Sequence, residues 1–160
     1  MTYARACLRT LILILALVLS QSAKAFQNEP NDCRGIVWGT DYGELKGLTK
    51  VTTQNSLDYY TRRNDEMTFG DAPLEMVVYV FYEKKFCGAI LNFKSSPDFE
   101  TIKTILFDRY GKGRQANRYE ETYKWYGTSV NITLEYDDIT EKGKVIYYYV
   151  PIYQKMQKTD

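Results

Sequence analysis

The sequence predicts an α+β fold: one twisted antiparallel sheet with two helices packed on one of its faces. Three stretches carry that expectation. Leu74–Phe93, LEMVVYVFYEKKFCGAILNF, is two apolar runs joined at Glu83-Lys84-Lys85. In its first run Leu74, Met76, Val78, Val80 and Tyr82 fall on one face of a strand, and Val77, Tyr79 and Phe81 on the other. Both faces are mostly apolar and rich in β-branched and aromatic residues, which suits the central hairpin of a sheet covered on both sides. Val130, Ile132, Leu134 and Tyr136 alternate with Asn131, Thr133 and Glu135, the pattern of a half-buried strand. Phe99, Ile102, Ile105, Leu106 and Tyr110 recur at helical spacing.

The first 25 residues are read as an export signal. Arg5 and Arg9 make a basic start, Leu11–Leu19 is an unbroken apolar run, and Ala23-Lys24-Ala25 is a small-x-small cleavage pattern. The run falls short of the about 20 apolar residues a bilayer span needs, so an uncleaved anchor is the minor alternative. No stable membrane span is expected after cleavage. The mature chain would begin near Phe26, and a periplasmic or secreted protein follows.

The whole chain carries 21 basic and 20 acidic residues. Loss of Arg5, Arg9 and Lys24 leaves 18 against 20, a net charge of −2. Neither sign dominates, so no nucleic-acid partner is expected. Residues 26–32 are polar, contain Pro30 and are expected as a flexible leader; residues 33–153 form a single domain, and 154–160 a frayed charged tail.

The elements follow in order. Gly35–Thr40 reads as a short strand bearing Ile36 and Trp38, with Gly39 giving a tight turn. Asp41 is an N-cap with Glu44 as its capping-box partner, so a short helix is expected, with Leu45 and Leu48 inward and Gly47 weakening it. Val51–Gln54 and Leu57–Arg63 read as strands about Asn55-Ser56. After the central hairpin, Ser96 is taken as the cap of the main helix, Pro97 as its first residue and Gly111 as its stop. Strands are expected at Glu121–Tyr126, at Val130–Tyr136, and at Val145–Val150, where Pro151 ends the run. Each half is a helix followed by antiparallel strands, which hints at a duplicated unit without a shared residue pattern.

The chemistry is limited by what is missing. The chain has no histidine, which removes Ser-His-Asp and Cys-His catalytic pairs and histidine-based zinc sites. No phosphate-cradling glycine loop and no CxxC is present. No catalytic residue, metal site or cofactor is assigned. The exported setting and the even pair Cys33 and Cys87 predict one disulfide, worth about 4 kcal/mol on the chain-entropy model. Two reduced, buried thiols are the alternative. The acidic pairs Asp65-Glu66 and Glu120-Glu121 and the Asp137-Asp138…Glu141 cluster read as exposed loop charge. A carboxylate-dependent hydrolase of the cell envelope is kept as the second functional class.

Tyrosine is the unusual feature: the mature chain has 14 of the 15. Adjacent tyrosines on a strand point to opposite faces, so one of Tyr147 and Tyr148 turns away from the helices. Trp38, Tyr59, Tyr60, Trp125, Tyr147 and Tyr148 are the candidate binding residues of an aromatic sheet surface. The alternative is that these rings pack the core. The leading expectation is a non-enzymatic binding or protein-interaction module whose partner is another envelope protein or a small ligand, engaged by an aromatic face or an exposed strand edge.

The stretch CRGIVWGT, with FYEKKFCGAILNF and FETIKTILFDRYGKG, resembles small exported bacterial proteins of unknown function that open with R-G-I-x-W-G-T. That resemblance implies no activity. In the order of its elements the chain is more loosely similar to the helix-plus-strands units of the β-lactamase-inhibitor protein and of small lipoproteins of outer-membrane assembly. Those units bind other proteins, and the similarity implies a binding role by topology alone.

Overall fold

The computed structural model describes residues 26–158, so the expected signal segment lies outside the described residues. Seven strands form one antiparallel sheet: β3 (Leu48–Gln54), β4 (Leu57–Arg62), β7 (Met76–Tyr82), β8 (Lys85–Lys94), β9 (Glu121–Tyr126), β10 (Val130–Asp137) and β11 (Lys142–Tyr149). Their spatial order is β3-β4-β7-β8-β11-β10-β9. Two small hairpins stand apart, β1 (Asp32–Cys33) with β2 (Ile36–Val37) and β5 (Thr68–Phe69) with β6 (Ala72–Pro73). The long helix is α1 (Ser96–Tyr110), and a short helix, α2 (Val150–Met156), closes the chain.

The predicted hairpin is the centre of this sheet. β7 and β8 are flanked by β4 and β11, and every residue from Val77 to Tyr82 is buried. The turn between them places Glu83 and Lys84 at φ 47° and 68°, the left-handed pair that a two-residue hairpin of matching twist requires. Asn55 and Ser56 do the same between β3 and β4.

One sheet face carries Val77, Tyr79, Phe81, Leu91, Phe93, Ile132, Leu134 and Val145, and α1 lays Phe99, Ile102, Leu106 and Tyr110 upon it. The other face carries a smaller cluster of Val80, Tyr82 and Cys87, against which Ile152 and Met156 of α2 pack. The helices therefore do not share a face as expected. The predicted first helix is only a single turn, Tyr42–Glu44. Its capping box is present, Asp41 accepting from Gly43 N and Glu44 reaching back to the Asp41 amide. Gly47 then turns the chain at φ 76° and β3 begins at Leu48. The second helix lies where a strand end and frayed tail were expected. Pro151 falls in its first turn, a position where proline starts a helix as readily as it stops a strand.

Smaller differences have local causes. The strand expected at Gly35–Thr40 is instead half of a tight hairpin, because Arg34 and Gly35 both take positive φ. The cap of α1 is Ser95, which accepts from the Asp98 amide, rather than Ser96. Residues 26–32, expected as a flexible leader, are tied to the body. Phe26 sits edge-on to Tyr110, Gln27 N donates to Tyr110 O at 3.0 Å, and the Trp38 indole donates to Pro30 O at 2.9 Å.

Cys33 and Cys87 are both free and buried; the predicted disulfide is not formed. The reason is a bulge. Alternation back from Leu91 and Ala89 would point Cys87 at the core. The pairing register shifts between Val80 and Phe81, however, so that Phe81 pairs with Phe86 while Val80 pairs with Gly88. Phe86 takes the core position, and Cys87 turns to the other face, where its thiol bonds Val80 O at 3.4 Å. Cys33 belongs to the core cluster. The sheet lies between them.

Candidate functional site

The six candidate aromatics divide between the two faces. Trp38, Tyr60, Trp125 and Tyr147 are core residues. Trp38 stacks on Phe86 with ring centres 4.9 Å apart. The Trp125 indole donates to Gly111 O at 2.8 Å. Tyr60 meets Phe81 edge-on at 5.2 Å. Tyr59 and Tyr148 are half-buried and lie on the second face. Strand alternation thus divides Tyr59-Tyr60 and Tyr147-Tyr148 as the pleat demands.

Tyr59 and Tyr148 line one groove between α2 and the second sheet face, with a volume of about 250 Å³. Leu57, Val80, Ile90 and Ile146 supply aliphatic wall, and Tyr153 and Met156 of α2 the opposite side. Two of the lining polar groups, the Tyr148 hydroxyl and the Cys87 thiol, are committed within the chain. The Tyr148 hydroxyl accepts from Asn131 Nδ2 at 2.7 Å, and burial pushes the Cys87 thiol up to about 12, so it is neutral and unreactive at ordinary pH. The groove therefore offers mainly apolar surface, with no charged side chain in its lining. Tyr148 and Tyr153 contact each other across its mouth, ring centres 5.0 Å apart. At the far end of the helix, Lys155 pairs with Glu83 of the central turn.

Sequence reasoning missed Ile90, Ile146, Tyr153 and Met156. The first two were legible: runs as apolar as GAIL in β8 and VIYYY in β11 must bury something on both faces. The α2 residues were hidden by reading Pro151 as a stop.

A second cluster was mistaken for loop charge. The Asp65 side chain is covered, 4% exposed, though the residue as a whole is half-buried. It pairs with Arg62 at 2.7 Å and Arg34 at 3.3 Å and accepts the Tyr79 hydroxyl at 2.7 Å. Burial alone would raise its carboxyl, but the bonds from Arg62 and Tyr79 and the two guanidinium charges hold it below the ordinary value. Burial and the same carboxylate push the Tyr79 phenol upward. Arg34 also donates to Thr68 O and Glu66 O. Every group in this cluster is engaged internally, as suits a device that fixes the β5–β6 hairpin to the sheet.

Of the other acidic residues weighed above, Asp137, Glu120 and Glu121 are also committed. Asp137 accepts the Ile139 and Thr140 amides at 2.8 and 3.1 Å, which keeps its carboxyl low. Glu135, which lines the same surface hollow, pairs with Lys144 at 3.1 Å. Glu120 accepts from Asn117 and Glu121 from Tyr123. Among the described residues no group of three or more acidic or cysteine side chains converges as a metal would require. No described helix is long and apolar enough to cross a membrane.

No protein-family model, curated protein or solved structure matches the chain.

Proposed function

We propose that this chain is an exported, non-catalytic binding module of the cell envelope and that the groove under α2 is where it takes its ligand. The observation that carries this is the groove itself: an apolar recess of about 250 Å³ with tyrosine rings at its mouth and no unengaged charge in its lining. Such a surface favours a small ligand with an aliphatic or aromatic body, held by area and ring contact. The volume is at the small end for ligand sites, so the expected occupant is one ring system or a short chain.

The test is binding of the fluorescent apolar probe N-phenyl-1-naphthylamine. The wild-type protein is expected to enhance its emission saturably, and Ile146→Gln, which places an amide in the half-buried wall without touching the core face, to abolish the enhancement. A folded Ile146→Gln protein that binds the probe as well as wild type does, or a wild-type protein that does not bind it, would refute the assignment. No observation favours the hydrolase reading over this one.

A further inference from the structure

On the α1 side of the sheet, away from the groove, the β1–β2 hairpin, the β5–β6 hairpin and the C-terminal end of α1 enclose a second cavity of about 530 Å³. Its lining is different in kind. Deep in it are Cys33, Tyr110 and Tyr147, which are 6%, 8% and 4% exposed. The Tyr110 and Tyr147 hydroxyls face each other, and the Arg109 guanidinium reaches Tyr110. Neither hydroxyl is engaged by a backbone group or a carboxylate among the described residues, and the Cys33 thiol has no hydrogen-bond partner there. Burial keeps all three neutral; with the Tyr147 hydroxyl donating to Tyr110, the Tyr110 hydroxyl and the Cys33 thiol are left to donate and the Tyr147 oxygen to accept.

The rim carries both signs. Arg34 is balanced by Asp65 behind it. Arg109 lies over the Phe69 ring, its centre 5.5 Å away, and no described carboxylate pairs with it. Asp32 and Glu66 are exposed at the same mouth. An anion alone would meet two carboxylates there, and a cation alone would meet Arg109. A molecule carrying both charges satisfies both.

We propose that this cavity binds a small zwitterion of the amino-acid class, with its carboxylate on Arg109, its ammonium toward Asp32 and Glu66, and a neutral hydrogen-bonding side chain directed at Tyr110, Tyr147 and Cys33. The inference is independent of the apolar groove.

Amide chemical shifts report it directly. L-glutamine is titrated into the protein alongside N-acetyl-L-glutamine, which lacks the cation, and L-glutaminamide, which lacks the anion. Saturable shifts confined to residues 32–34, 66–70, 109–110 and 147 are expected for L-glutamine. Each singly charged relative should bind at least about tenfold more weakly. Arg109→Gln, at an exposed position that leaves the core intact, should weaken L-glutamine at least about tenfold. Tyr147→Phe removes one deep hydroxyl and should weaken L-glutamine more than it weakens glycine. No saturable shift up to about 10 mM, or equal binding of N-acetyl-L-glutamine, would overturn the proposal; the second result would mark an anion site instead. Shifts unaffected by Arg109→Gln in a protein with a native spectrum would also overturn it.

Discussion

Glu29 is the sharpest place to test how this fold is held. Its carboxylate fills the turn between β9 and β10, accepting the Thr128 amide at 3.2 Å and its hydroxyl at 3.0 Å, together with the Ser129 and Val130 amides. Gly127 permits this approach, since a Cβ there would fall 2.3 Å from a Glu29 oxygen. Replacing Glu29 with alanine strands three backbone donors. A hydrogen bond to a charged group contributes about 1.5–3 kcal/mol, and an abandoned buried donor costs about 1–3 kcal/mol. Two of the donors are only partly buried, so water recovers part of that loss, and a total near 2 kcal/mol is expected for Glu29→Ala. Glu29→Gln keeps the shape and one acceptor oxygen and should cost about 1 kcal/mol. The pH dependence distinguishes charge from shape. Burial tends to raise this carboxyl, but the Val130, Ser129 and Thr128 bonds outweigh it and hold it below the ordinary glutamate value. A depressed folded-state value means the stabilisation is fully present above the unfolded value and is lost as pH falls through the folded one. Urea unfolding at a series of pH values should therefore show the wild-type advantage over Glu29→Gln constant near neutrality and vanishing on the acid side. Amide exchange at residues 128–130 should quicken in both variants. A wild-type advantage that is absent at neutral pH, or that persists unchanged in acid, would refute the carboxylate clamp.

Three further outcomes follow from the packing. The folded protein should react with neither Cys33 nor Cys87 in a thiol titration without reductant, and the denatured protein should show both, because the thiols are buried on opposite faces. Gly143→Ala drives a methyl to within 2.2 Å of the Phe93 ring and should destabilise by about 1–3 kcal/mol in chemical denaturation, the usual range for overpacking; an unchanged midpoint would mean Phe93 moves freely. Tyr79→Phe leaves the Asp65 carboxylate with one donor fewer in a buried cluster and should cost about 1–3 kcal/mol, with no effect on probe binding in the groove.

What was legible in the sequence is what local chemistry decides. Two-sided apolarity placed β7 and β8 at the centre, the 3.6-residue stripe placed α1, and Asp41 with Glu44 marked a true capping box. Two kinds of event were not legible. Proline has opposite meanings before and after a helix start, so Pro151 read equally well as the end of β11 or the beginning of α2. The β7–β8 bulge places Phe86 where it stacks with Phe81 and Trp38; its one local mark is Gly88, which fits a bulge and a close approach of backbone equally well. That one extra residue inverts the facing of Cys87 and so decides both the absent disulfide and the lining of the groove. The tyrosine doublets were placed correctly as pairs, because alternation is local, but which member faced inward depended on register.

The two outer strands of the sheet differ in how their edges are protected. The outer edge of β9 is not open: Arg114 and Lys124 exchange backbone hydrogen bonds at 2.8 and 2.9 Å, so the link after α1 covers it. The outer edge of β3 is exposed along most of its length, but it is blunted. Lys50 places a charge there, paired with Asp58 at 2.6 Å, and Val51 is a bulge that breaks the pairing register between Lys50 and Thr52. Charge and a bulge are the devices by which sheets discourage an added strand. If β3 were instead a docking edge, a Lys50→Thr, Val51-deleted variant would lose a partner. With charge and bulge removed, that variant is expected instead to self-associate in sedimentation where the parent chain does not.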